Sequence, residues 1–210
     1  MENNQQLQSA LLFLAEKKDL PDAVKLLIQN GVNPNIKTDF ENTPLILAAL
    51  YDNVETVKIL LEFGADVNIK NQEKNNALME MLDNNWINKI TPDALRIIEI
   101  LINAGIDVNA TNVYGETPIL LAVKKNNFEL VKLLLNSGAN PNVSFGGYEI
   151  TPLKIAASNG NFDIVKILLQ AGANPNASNQ EGETAASMLS EYKDIEHIQI
   201  RDLLLKFSHC

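Results

Sequence analysis

The stretch Thr43-Pro44-Leu45-Ile46-Leu47-Ala48-Ala49 returns as Thr117-Pro118-Ile119-Leu120-Leu121-Ala122-Val123 and as Thr151-Pro152-Leu153-Lys154-Ile155-Ala156-Ala157. A second block follows it at a constant distance: Val57-Lys58-Ile59-Leu60-Leu61, then Gly64-Ala65-Asp66-Val67-Asn68, recurring over 131–142 and 165–176. Gly31, Gly64, Gly105, Gly138 and Gly172 stand 33, 41, 33 and 34 residues apart by their numbers. Two blocks that repeat at a fixed mutual offset define a unit of 33 residues with two insertions, and self-similarity at such a period marks a stacked array.

Each recurring residue type has a mechanical reason. Thr43, Thr117 and Thr151 fall at N-cap positions, each followed by a proline in the first helical turn, where a missing N–H costs nothing. The short helix that starts there is small in its middle, at Ala48 and Ala49, so neighbouring helices can approach closely. A second helix, as over Val54 to Phe63, carries Val57, Leu60 and Leu61 at the spacing of a buried stripe. Gly64 then ends it as a C′ glycine able to take positive φ. Asp66-Val67-Asn68 leads into an extended turn that projects away from the helices. One such unit cannot bury its stripe alone, so units must stack, and the molecule is expected to be elongated.

The period and the Thr-Pro-Leu start resemble the ankyrin repeat, whose signature is T-P-L-H-x-A. The implied fold is all-α: an ankyrin-repeat solenoid of about six helix-turn-helix repeats with projecting β-turn fingers, forming one domain over 1–210. The repeats are read as 7–37 (an N-terminal cap), 38–70, 71–111, 112–144, 145–178 and 179–210 (a C-terminal cap).

The sequence departs from the family pattern in identifiable places. The family histidine is replaced by Ile46, Met79, Leu120, Lys154 and Ser187, so packing must substitute for at least some of the usual Thr-His hydrogen bonds. Asn76-Ala77-Leu78 stands in for Thr-Pro-Leu and predicts a weaker helix start. That repeat also holds an insertion of about eight residues within 83–90, after which Thr91-Pro92-Asp93 opens a new helix. The only tryptophan, Trp86, lies in the insertion, either folded back over its own loop or presented as a binding anchor.

Composition narrows the function. A net charge of -9 and a pI near 4.7 disfavour nucleic acid and suit a basic protein partner if the charge gathers on one face. The single cysteine, Cys210, excludes an intrachain disulfide and fits a reducing compartment. The N-terminus lacks the positive region of a secretory signal, and no apolar run approaches the ~18 residues that span a bilayer. A cytoplasmic protein, monomeric alone, is expected, with delivery by a signal-independent secretion machine leaving no trace to read.

Chemistry is sparse. His197 has only Asp194 and Glu196 nearby, and His209 only Cys210, which are pairs and not a metal-ligand cluster. Gly146-Gly147 reads as a repeat tip, and no phosphate-binding glycine motif or nucleophile elbow is present. Lys124-Lys125 beside Tyr114 is the nearest approach to a nucleic-acid patch and reads more simply as a solvated pair. No catalytic residue, cofactor or metal is expected. The alternative is an enzyme or nucleic-acid factor with a site outside the repeat pattern.

The resemblance implies that a protein partner meets the concave face, formed by finger tips and the outer surface of each first helix. By position the tips are Asp39, Phe40 and Asn42; Gln72, Glu73 and Asn75; Val113, Tyr114 and Glu116; Gly147, Tyr148 and Ile150; then Gln180, Glu181 and Glu183. The first-helix ends add Leu50, Tyr51, Asp83, Asn84, Lys124, Lys125, Ser158 and Asn159, and Trp86 is the candidate outside this face. The third tip position reads Phe40, Glu73, Tyr114, Tyr148 and Glu181. Its aromatic rings either pack on a neighbouring finger or form an exposed binding row. Asn68, Asn109, Asn142 and Asn176 correspond to asparagines that are hydroxylated in some ankyrin repeats, the simpler role being to bond backbone groups of the turn.

Overall fold

The computed structural model describes residues 2–83, 91–146 and 149–208, with side chains from residue 5 onward. These residues form twelve helices and, for extended pairing, a single antiparallel bridge between Phe145 and Ile150. None of the helices is long and apolar enough to cross a membrane. The chain falls into two compact units, Met1–Asn112 and Val113–Cys210.

The first unit holds α1 (Glu2–Ala15), α2 (Pro21–Gln29), α3 (Pro44–Leu50), α4 (Val54–Glu62), α5 (Ala77–Asp83) and α6 (Pro92–Asn103). First helices stack in one row, α1 on α3 and α3 on α5, and second helices in another, α2 on α4 and α4 on α6. The second unit repeats the plan with α7 (Pro118–Lys124), α8 (Phe128–Asn136), α9 (Pro152–Ser158), α10 (Phe162–Gln170), α11 (Ala185–Met188) and α12 (Ile195–Ser208). There α9 lies between α7 and α11, and α10 between α8 and α12.

The first helices are the core. Every residue of α3 from Pro44 to Ala49 is buried, and Ala48 and Ala49 are fully so, as close stacking requires. Val57 and Leu60 on α4 are buried by the same stripe, and truncating such a leucine to alanine costs about 2–5 kcal/mol. Packing does replace the family histidine: Ile46, Met79 and Leu120 are all but inaccessible. Ser187 instead closes a reciprocal capping box with Thr184, and Lys154 is buried.

Helix starts and stops follow the local code with two corrections. The hydroxyl oxygens of Thr43, Thr91 and Thr151 accept the backbone N–H three residues on. Thr117 does not cap: its hydroxyl is buried without a partner, although Pro118 still opens α7. Asn76, expected to be a poor start, is a working cap, because its side-chain oxygen accepts the Met79 N–H at 3.0 Å. Its amide also donates to the Asp107 carbonyl at 3.1 Å, a contact that a threonine could not make. Gly64 closes α4 with φ of 83°, a conformation that would strain a residue bearing a Cβ.

Candidate functional site

The fingers are tight turns whose tips are freed by their own backbone hydrogen bonds. In the finger 38–42, the Thr38 N–H donates to the Asn42 carbonyl at 3.0 Å and the Glu41 N–H to the Thr38 carbonyl at 2.9 Å. Glu41 takes φ of 60° to close it. The finger 71–75 repeats this with Asn71, Asn75 and Lys74. The two fingers are stitched together, since the Gln72 N–H donates to the Phe40 carbonyl at 3.1 Å.

That stitching throws the Phe40 ring outward, where it is 70% exposed. Asp39, Gln72 and Glu73 are exposed beside it, as is Tyr51 after the end of α3, while Leu50 is half-buried. Asn42 is otherwise occupied: its side-chain oxygen accepts from the Asn71 amide at 3.0 Å. The Asn71 amide also donates to Glu80 on α5 at 2.8 Å, and Asn75 donates to the same carboxylate at 3.1 Å. This partly buried polar network braces the fingers against the first helices and leaves the tips exposed.

In the second unit Tyr114 is 63% exposed at its finger tip, with Val113 exposed next to it. Glu116 is buried and ion-paired with Lys124, whose ammonium also lies 4.3 Å from the centre of the Phe145 ring. These two residues are engaged with each other and with the finger. Lys125 is half-buried and also engaged. Ile150, in the bridge with Phe145, joins Ser158 and Asn159 around a pocket of about 330 Å³ that is otherwise lined by Lys154, Ile155, Asn179, Glu183 and Met188. Trp86 and Tyr148, with Asn84, Gly147, His209 and Cys210, lie outside the described residues.

On the turns that follow the second helices, the asparagines of the Asp-x-Asn and Asn-x-Asn motifs bond backbone. Asn68 accepts the Asp107 N–H at 2.7 Å and donates to the Gly105 carbonyl at 3.1 Å. Asn142 does the same with the Asn174 N–H and the Gly172 carbonyl. Asn176 donates to the Ser208 carbonyl.

Sequence reasoning passed over the residues at the starts of the second helices. Asn53 reaches the Ala15 carbonyl, and the Asp52 carboxylate accepts the Thr91 hydroxyl at 2.8 Å. Asn127 and Asn161 cap α8 and α10. An Asn immediately before each Val or Phe that opens a second helix was the available signal. His197 pairs with Asp194 at 2.6 Å and contacts the Ser158 carbonyl through its other ring nitrogen at 3.3 Å, while Tyr192 stacks on it. The Ser158 contact therefore ties the start of α12 to the end of α9.

The family profile described as "Ankyrin repeats (3 copies)" matches residues 11–112 and 90–179. An ankyrin repeat protein of fowlpox virus is 47% identical over 55 residues, 26% of this chain and 8% of that protein. An ankyrin repeat, SAM and basic leucine zipper domain-containing protein of Notamacropus eugenii is 32% identical over 77 residues, 37% of this chain and 16% of the relative. An ankyrin repeat protein of Rickettsia bellii is 53% identical over 34 residues, 16% of this chain and 20% of its own length. The matched segments are thus a minor part of each relative.

Proposed function

Because the chain belongs to the ankyrin-repeat family, whose repeats generally serve as protein–protein interaction modules, we propose that it is a non-catalytic binder of another protein. The binding face is formed by the finger tips and first-helix ends. The observation that carries this reading is the outward display of Phe40 in the first unit, on a finger whose base is locked by its own hydrogen bonds, and of Tyr114 in the second. Rigid aromatic side chains provide large contact area at low entropic cost and are the residue types that dominate interface energetics. The net charge of -9 favours a basic partner, which it would attract over distance. An adaptor, an inhibitor and a neutraliser of a basic target all fit this surface, in a reducing, cytoplasmic setting.

The test is affinity capture from the native cell with the wild-type chain and with a Phe40→Ala, Tyr114→Ala chain. A protein captured by the first and lost from the second supports the reading. Equal capture by both moves the binding surface elsewhere, with the insertion around Trp86 next to be substituted.

A further inference from the structure

The pocket in the second unit has an unusual wall. Helix α11 has four residues where α9 has seven, ending at Met188, so the second turn of α9 is left without a full-length neighbour. Ile155 and Ser158 on α9, with Asn159 just after it, face a space of about 330 Å³ bounded by Ile150, Met188 and the finger residues Asn179 and Glu183. That volume is at the lower end of small-ligand pockets and holds one or two side chains, not a helix.

Lys154 contributes the buried part of this lining and is 3% exposed. Its ammonium has three donors, and among the described residues its one hydrogen bond goes to the Glu149 carbonyl at 3.4 Å. Among the described residues no carboxylate comes within ion-pair distance of it. The Glu183 carboxylate acts on it only across space, being held by the Asn179 amide at 2.9 Å. Burial therefore holds the lysine below its ordinary pKa, with Glu149 and Glu183 opposing that shift. A buried cation with donors to spare is costly until a partner reaches it.

We propose that this pocket docks a partner's peptide segment carrying an acidic residue beside a large apolar one, with the apolar side chain against Ile150, Ile155 and Met188 and the carboxylate on the Lys154 ammonium. The charge complementarity is local: the acidic surface would find a basic protein, and Lys154 would take one acidic side chain within it. The inference rests on the reading that the finger and first-helix face binds protein.

The test is an NMR titration of the full chain, labelled at isoleucine and methionine methyls, with N-acetyl-Glu-Leu-amide and its neutral isostere N-acetyl-Gln-Leu-amide. The methyls of Ile150, Ile155 and Met188 should shift with both, and the Glu peptide should bind about tenfold tighter, the scale of a hydrogen bond to a charged group. Lys154→Met, which replaces a buried charge by an apolar chain of similar shape and so should keep the fold, should abolish that preference. Absent methyl shifts, or equal affinities in the wild-type chain, would overturn the proposal. Tighter binding of N-acetyl-leucine than of the Glu peptide would overturn the choice of an internal segment in favour of a chain terminus. If this titration fails while Phe40→Ala still weakens capture, the binding-face reading stands and the pocket falls. If it succeeds while Phe40→Ala with Tyr114→Ala leaves capture unchanged, the pocket stands and the two aromatic tips are not the contacts.

Discussion

Asn53 donates its side-chain amide to the Ala15 carbonyl at 2.6 Å, tying the start of α4 to the end of α1 within the first unit. Both residues are buried, so deleting the amide leaves a carbonyl that water cannot easily reach. Asn53→Ala should lower stability by about 1–3 kcal/mol, the desolvation cost of one orphaned buried group. Denaturant unfolding followed by circular dichroism would measure it. A loss under about 0.5 kcal/mol would mean that the carbonyl finds water.

At the start of α5 two substitutions should act in opposite directions. Ala77→Pro places proline where Pro44, Pro118 and Pro152 already sit buried at equivalent positions. It should stabilise by about 0.4–1 kcal/mol, because the unfolded chain loses freedom that the folded chain does not use. Asn76→Thr retains a capping oxygen but loses the amide bond to the Asp107 carbonyl, and should destabilise. Melting temperatures of the two single variants decide the matter; a gain from Asn76→Thr would refute it.

The pair at the start of α12 predicts a pH dependence. The hydrogen bond that His197 donates to Asp194, helped by the Ser158 carbonyl and by the charges of Asp194 and Glu196, raises the His197 pKa above its usual value against the opposing effect of burial. Asp194 is correspondingly held below the usual carboxylate range, first by its hydrogen bond with His197. The His197 contribution is present in full below about pH 6.5 and is lost as pH rises through the raised folded value. The Asp194 contribution is present above about pH 4 and is lost on acidification through its lowered value. The denaturation midpoint should therefore fall between pH 5.5 and pH 8, and His197→Gln should flatten that slope. An unchanged slope in the variant would assign it to other groups.

On the proposed binding face, Phe40→Ala with Tyr114→Ala should leave helical content intact, since both rings project from fingers and not from the stacked helices. Affinity for a captured partner should nevertheless drop by about 2 kcal/mol or more in total, the scale of interface anchors. Added salt should slow association more than it speeds dissociation if negative charge steers a basic partner. Calorimetry and stopped-flow association rates would test the two parts separately, and a salt-independent association rate would remove the steering argument.

How far these features were legible differs from residue to residue. Phe40 and Tyr114 could be placed at finger tips because the repeat offset carries position from one copy to the next, and both rings are exposed there. Their neighbours Asn42, Glu116 and Lys124 occupy the same face by the same logic, yet each is engaged by a side chain reached only in the fold. Thr117 matches Thr43 in the repeat and still makes no cap, because its hydroxyl is turned into the interior. Asn76 breaks the pattern and caps regardless, because an asparagine oxygen satisfies an N–H as well as a threonine hydroxyl does.

The chain by itself determined the repeat, the helix pairs and the positive-φ glycines, since these rest on contacts within a few residues and on spacings that recur. Only the tertiary structure decided which polar side chains are consumed in joining repeats and which cation is left buried beside an open pocket. Asn53 meets its partner 38 positions away, and Asn68 binds Asp107 from 39 away. Lys154 is buried because α11 and the finger 179–183 close around α9. The environment of such a group is set by residues of the adjacent repeat, and no local pattern around it specifies them.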